Sequence, residues 1–224
     1  METGLTLSQA NSLLVATWCR YLNTNNCNYK YVLMFSMFAQ LAVMQTAPSS
    51  SAQILELLQV APSVIQMGSE NLKVLFQILE CYLLLDLPGL LKTNFDPIIA
   101  ACTSLFDDFG DECLILLVKF VNSFLTSAVA NEISDLPASM VNLIGSIFAH
   151  FNTQPGPVLR SAMYLVAARV MLQFKHVFSL LLPKLNLNLT LFIKQWCSDM
   201  DSITHSDRRK LSAFTIIGES EIFT

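Results

Sequence analysis

From about residue 51 onward the apolar residues of this chain recur at helical spacing, and no comparable run alternates with a period of two. Leu72, Leu75, Phe76, Leu79, Tyr82 and Leu83 form one such stripe, with Ser69 placed to cap the helix and Glu70 favourable in its first turn. Leu114, Leu117, Val118, Val121, Phe124, Leu125 and Ala128 repeat the pattern behind Gly110-Asp111, and Val141, Ile144, Phe148 and Phe151 do so behind Pro137. The longest stripe, Leu159, Met163, Val166, Val170, Phe174, Val177 and Leu181, predicts one helix from Pro157 to the break at Pro183. Breakers at Pro48, Pro88-Gly89, Asp107–Asp111, Pro137, Pro155-Gly156-Pro157 and Pro183 set helix pairs near 52–86, 90–130, 138–182 and 186–217. An all-α fold follows. Pairs repeating every roughly 40–45 residues suit both a solenoid of HEAT or armadillo hairpins and a globular bundle.

Hydrophobic residues make up 53 % of the chain and charged ones 13 %, with mean hydropathy +0.51, which is more apolar surface than a compact soluble monomer hides. Stacked repeats cover such surface on several sides; a membrane would too. The best candidate span, Tyr31 to Met44, has 14 residues and contains Gln40, short of the roughly 20 a bilayer needs. Cys113–Ala130 contains Lys119 and Asn122, and Ala162–Leu182 contains Arg169, Lys175 and His176, so neither reads as a span. No stable membrane insertion is expected.

Net charge is −4, divided unevenly: residues 1–112 hold ten acids and four bases, residues 113–224 seven acids and nine bases. Neither part is basic enough for a nucleic-acid partner, and no basic-aromatic interleave suited to base stacking occurs. The six cysteines, Cys19, Cys27, Cys81, Cys102, Cys113 and Cys197, form no CxxC pair and are expected to be reduced, buried thiols. The N-terminal residues lack the charged and apolar regions of a secretory signal, so the sequon at Asn188 is expected to be silent.

No catalytic, cofactor-binding or metal-binding residues are assigned. Asp108-Phe109-Gly110 spells a kinase triplet without the glycine-rich loop, lysine strand or catalytic loop that would give it meaning. The acids Asp107, Asp108, Asp111 and Glu112 lack the ligand order of a calcium loop and are expected to form a solvated turn whose Asp111 caps the next helix. His205, Ser206 and Asp207 are chain neighbours, whereas a hydrolytic triad converges in space. Thr204 and Asp207 instead fit a capping box. His150 and His176 lack companions at metal spacing, and Arg208-Arg209-Lys210 reads as the wet face of a helix.

The stretch Phe192–Phe214, FIKQWCSDMDSITHSDRRKLSAF, is the most specific part of the chain. Trp196, Asp199, Met200, Asp201 and the run Arg208 to Ala213 resemble a helix-turn-helix near the C-terminal end of the importin-β (karyopherin) nuclear transport receptors, in particular the importin-eleven branch. Arg160–Leu182 is similar to an earlier long helix of that family, and the start at Ser69 with Ile78, Tyr82 and Leu84 to another hairpin. The resemblance implies an armadillo-type, HEAT-repeat superhelix, a right-handed solenoid with about four hairpins over residues 48–218. Residues 1–47 stand outside the pattern and are expected to be helical; residues 219–224 form an off-pattern tail.

The same resemblance implies a non-enzymatic receptor for protein import into the nucleus, shuttling between nucleus and cytoplasm through the nuclear envelope. Its implied partners are cargo proteins, nucleoporin phenylalanine-glycine repeats and the small GTPase Ran, the last through N-terminal family repeats that this chain does not contain. Its protein-binding residues are left unassigned, although the acidic residues 1–112 would suit basic cargo. A helical-repeat scaffold without transport activity and a small helical membrane protein are the alternatives.

Overall fold

The computed structural model describes residues 58, 61–66, 72–92, 95–184 and 188–220, and among these there are helices, turns and no strand. The expectations for residues 1–47, including the candidate span at 31–44, Cys19 and Cys27, and the Ser69 cap lie outside the described residues. In chain order the α-helices are α1 Ala61–Gln66, α2 Leu72–Lys92, α3 Phe95–Thr103, α4 Leu105–Asp108, α5 Asp111–Ala130, α6 Ala138–His150, α7 Pro157–Gln173, α8 Lys175–Leu181, α9 Leu189–Ser198 and α10 Ser206–Ser220. The all-α expectation holds. The chain divides into two compact units at Ile98/Ile99, within α3.

In the first unit α1 packs on α2, whose stripe of Leu72, Leu75, Phe76, Leu79, Tyr82 and Leu83 is at most 5 % exposed. The Pro88-Gly89 break appears as a kink: Asp86 leaves helical geometry at φ −161°, ψ 73°, and its Oδ1 accepts the Gly89 N–H at 2.9 Å. Asp86 therefore caps a new helical turn three residues before Gly89, with Pro88 at a position where no N–H is needed. A Cβ on Gly89 would collide with Asp86 Oδ2, so alanine there displaces the cap. Asp86→Ala is expected to cost about 1 kcal/mol in a urea titration. Gly89→Ala should cost at least as much, and a neutral result for both would remove the cap from the account.

In the second unit α5, α6 and α7 build a repeat. Gly156 N–H, at the start of α7, donates to Asp111 Oδ2 at the start of α5 (2.9 Å), and Arg169 Nε of α7 donates to Asn122 Oδ1 of α5 (2.6 Å). Matching positions along both helices are thus paired, so α5 and α7 run parallel and α6 must be the return limb of a hairpin. Helix α7 packs along both α5 and α10. The helices α5, α7 and α10 begin at Asp111, Pro157 and Ser206, intervals of 46 and 49 residues, close to the roughly 40–47 of HEAT and armadillo units.

Two local expectations change. Gly110, in extended conformation, occupies the N-cap of α5; Asp111 is the first helical residue and its carboxylate serves the long-range bond to Gly156. The predicted single helix 157–182 is broken at Phe174 (φ −126°, ψ 51°), where α7 and α8 meet at 114°. The bend brings Phe178 onto Phe148 (5.9 Å between ring centroids) and Leu181 Cδ2 to 3.3 Å from the Cβ position of the buried Gly145. An unbroken helix would carry these apolar groups away from α6; burying them there favours the bend.

By length and composition α2 and α5 are long and apolar enough to cross a membrane, and the bent pair α7 and α8 would be if counted as one span. Half of the apolar stretch of α2, and half of that of α5, is buried inside the protein. On α5 the buried stripe is Leu114, Leu117, Val121, Phe124, Leu125 and Ala128, while Glu112, Lys119 and Thr126 are exposed. The outer side of α5 is thus mixed, since Val129 is also exposed, and Leu84 is exposed on α2.

Cysteine burial is mixed: Cys102 is buried, Cys81 and Cys113 are half-buried, and Cys197, expected inside, is exposed because it lies one step around α9 from the inward-facing Trp196. Burial pushes the Cys102 thiol up from the ordinary 9.0 to about 12. Its folded value exceeds its unfolded one, so the stability it protects is full below about pH 9 and is lost as pH rises toward 12. In native protein at pH 9, iodoacetamide is expected to label Cys197 while Cys102 stays unlabelled until denaturant is added. Equal labelling rates would contradict this burial.

Candidate protein-interaction surface

The Phe192–Phe214 segment folds as two helices around a tight turn. Asn188 caps α9 by accepting the Leu191 N–H at 3.1 Å, which places Phe192 and Trp196 four residues apart on the inward side. Both are buried, Trp196 completely. The indole stacks on Tyr164 of α7 with ring centroids 4.9 Å apart and planes 8° apart, and Phe192 meets Phe151 edge-on at 5.0 Å. Trp196 Nε1 is buried without a hydrogen-bond partner among the described residues.

Asp199, just past α9, is also buried. Its carboxylate lies 2.7 Å from Arg160 Nε, accepts from Arg160 Nη2 at 3.1 Å and from the Tyr164 hydroxyl at 2.7 Å, and is bracketed by Gln195 Nε2 at 3.3 Å. One charge-assisted hydrogen bond from Nη2, the close ion-pair contact of Nε and a short phenol bond offset the desolvation of the acid. The Tyr164 hydroxyl is pushed far above its usual range, first by burial, then by its bond to Asp199 and that residue's charge, with Arg160 opposing. Trp196 and Asp199 thus fasten α9 to α7.

The rest of the motif is partly absorbed in the same way. Arg209 donates from Nε and Nη2 to the carbonyl of Ile203, at 3.2 and 2.9 Å, tying the start of α10 to the turn. Helix α10 begins at Ser206 and the Arg209 N–H bonds the His205 carbonyl, so His205 rather than Thr204 occupies the cap position. His205, Ser206 and Asp207 are exposed neighbours along the chain. Lys210 stands 3.9 Å from Asp207, both exposed, a contact of little energetic weight. His150 rests on the Phe106 ring at 5.3 Å, and exposed His176 is 3.9 Å from Asp135.

Reading the motif by itself missed Arg160 and Tyr164, which lie 39 and 35 residues before Asp199. A usable signal was present: Arg160 sits in the apolar run Pro157–Leu172, where a half-buried cation needs an acid from elsewhere. Of the basic residues that interrupt apolar helices, Arg160 is neutralised by Asp199. Arg169 has only the neutral Asn122 as a polar partner among the described residues. Burial lowers the pKa of Arg169 from its ordinary value, so the cation is held in surroundings that disfavour charge. Exposed apolar side chains also occur on α10, at Phe214 (69 %) and Ile217 (61 %).

Among the described residues no group of three or more His, Cys, Asp and Glu is arranged to hold a metal ion. The outward-facing side chains of these helices include Glu112, Lys119 and Thr126 of α5, Val158 of α7, and Phe214 and Ile217 of α10.

Residues 40–218 match the family model described as "Importin-11-like, TPR repeats". The chain is similar to Importin-11 of Homo sapiens, 26 % identical over 196 residues, and to Importin-11 of Mus musculus, 24 % identical over 196 residues. Each match covers 84 % of this chain and 20 % of the relative, so the chain spans about a fifth of the length of those proteins. No solved structure matches.

Proposed function

The chain belongs to the importin-11-like family of helical-repeat proteins, and we propose that it is a protein-binding segment of a nuclear import receptor that works by association and without catalysis. The observation that carries this reading is the family match over residues 40–218, which coincides with the parallel, hairpin-connected α5 and α7. Stacked hairpins present side-by-side helices as a continuous surface, the means by which repeat proteins hold extended partners. Cargo proteins and phenylalanine-glycine segments of nucleoporins are the partners this reading names, with residence shared between nucleus and cytoplasm. Response to Ran would require repeats outside the fifth of the relatives that this chain spans.

The test is a pull-down with this chain and with full-length Importin-11 in parallel, each with and without GTP-locked Ran, with bound proteins identified by mass spectrometry. Full-length receptor is expected to release its cargo when Ran is added. This chain is expected to retain a subset of the same cargo, more weakly and independently of Ran. If no protein is shared between the two, the import reading fails and a repeat scaffold without transport activity takes its place.

A further inference from the structure

Between Glu112 and Asp199 the chain has six basic residues, Lys119, Arg160, Arg169, Lys175, Lys184 and Lys194, and only two acids, Glu132 and Asp135. Both acids lie in the connection after α5, so α5 beyond its first turn and the whole of α7 carry no carboxylate. Arg160 is neutralised by Asp199. Arg169 is not: its Nε is fixed by Asn122 Oδ1 at 2.6 Å, and no ion pair reaches it among the described residues. The Arg169 side chain is half-buried, not enclosed. Lys119, exposed, stands one helical turn before Asn122 on the same side of α5.

A guanidinium anchored through Nε leaves four N–H groups in a fixed plane, a fork that matches the two oxygens of a carboxylate. Anchoring by a neutral amide holds the fork without consuming its charge. A flexible lysine nearby supplies a second positive charge without fixing geometry. We propose that Arg169, held by Asn122 and assisted by Lys119, is a docking point on the α5–α7 surface for a carboxylate of an acidic peptide segment of a partner protein. The choice of occupant rests on charge complementarity: beyond Asp111 and Glu112 in the first turn of α5 neither helix carries an acid, and the half-buried cation gains from a planar anion. This goes beyond the transport reading, since an acid-binding surface serves a scaffold equally well, and a negative result with Ran leaves it standing.

The probe is a short fluorescein-labelled glutamate-rich peptide, titrated against the purified chain by fluorescence anisotropy, with a peptide of the same length carrying glutamine in place of glutamate. The glutamate peptide is expected to bind at least about tenfold more tightly, and to weaken as salt rises. Arg169→Gln should abolish that preference, Arg169→Lys should lose most of it because the fork is gone, and Lys119→Gln should weaken it about threefold. Lys119 is exposed, so its variant keeps the test informative if Arg169→Gln unfolds, which circular dichroism will show. Equal binding of the two peptides, or an Arg169→Gln variant that is folded and within twofold of the parent, overturns the proposal. So does tighter binding of a single-stranded oligonucleotide than of the glutamate peptide, which would make phosphate the ligand.

Discussion

Asp199→Ala is expected to destabilise the protein by about 3 kcal/mol in a urea titration, because it removes one side of a buried ion pair and strands the other. Arg160 is 23 % exposed at its side chain and Asp199 10 %, so water replaces the lost carboxylate poorly. The Tyr164 hydroxyl loses its acceptor as well, in a buried position. Asp199→Asn keeps the shape and one acceptor and should cost about half as much. Replacing both partners, Arg160→Met with Asp199→Leu, should recover a large part of the loss, since matched apolar groups avoid the desolvation of two charges. If Asp199→Ala costs less than about 1 kcal/mol, the network is ornamental to stability and the fastening of α9 to α7 has another source.

Trp196→Ala should cost about 3–5 kcal/mol, since it empties the space of a fully buried ring stacked on Tyr164. Trp196→Phe should be milder: it keeps an aromatic partner for Tyr164 and removes an indole N–H that has no acceptor among the described residues. Thermal unfolding followed by circular dichroism checks both, and equal losses for the two variants would show that the indole N–H is in fact served. Trp196 and Asp199 share Tyr164, so their effects are expected to be non-additive. Both residues belong to the segment that carries the family resemblance. Trp196→Phe should change stability while leaving the affinity of the folded protein for an acidic peptide within about twofold, because the fully buried Trp196 ring carries no charge and cannot touch a peptide at the surface.

The helices were legible because burial imposes a period. Leu114 to Ala128 repeat at three and four residues because one side of α5 faces the protein, and the structure buries each of those positions. The Pro88-Gly89 break was legible for a similar reason: proline has no N–H to give and marks where a ladder of bonds stops. The break at Phe174 was not legible, because an apolar stripe at helical spacing continues unchanged through a bend that no proline or glycine forces. Cys197 looked buried by its neighbours in sequence and is exposed by its angle on α9. Thr204 and Asp207 had the spacing of a cap, and the chain placed its cap one residue later, at His205.

Composition and spacing alone therefore determined that this chain is helical and where its proline and glycine breaks fall, since these follow from local bonding and from one-sided burial. Through Trp196, Asp199 and the Arg208 run, the sequence also carried its family resemblance. Which residues do what was decided by tertiary structure. Arg160 and Arg169 occur nine residues apart in the same apolar helix. One is neutralised by an acid that chain folding brings from 39 residues away, and the other is pinned by an amide 47 residues before it, its charge still uncompensated among the described residues. Sequence spacing cannot distinguish the two, because a charge's role depends on which partners the packed helices bring within a few ångströms of it.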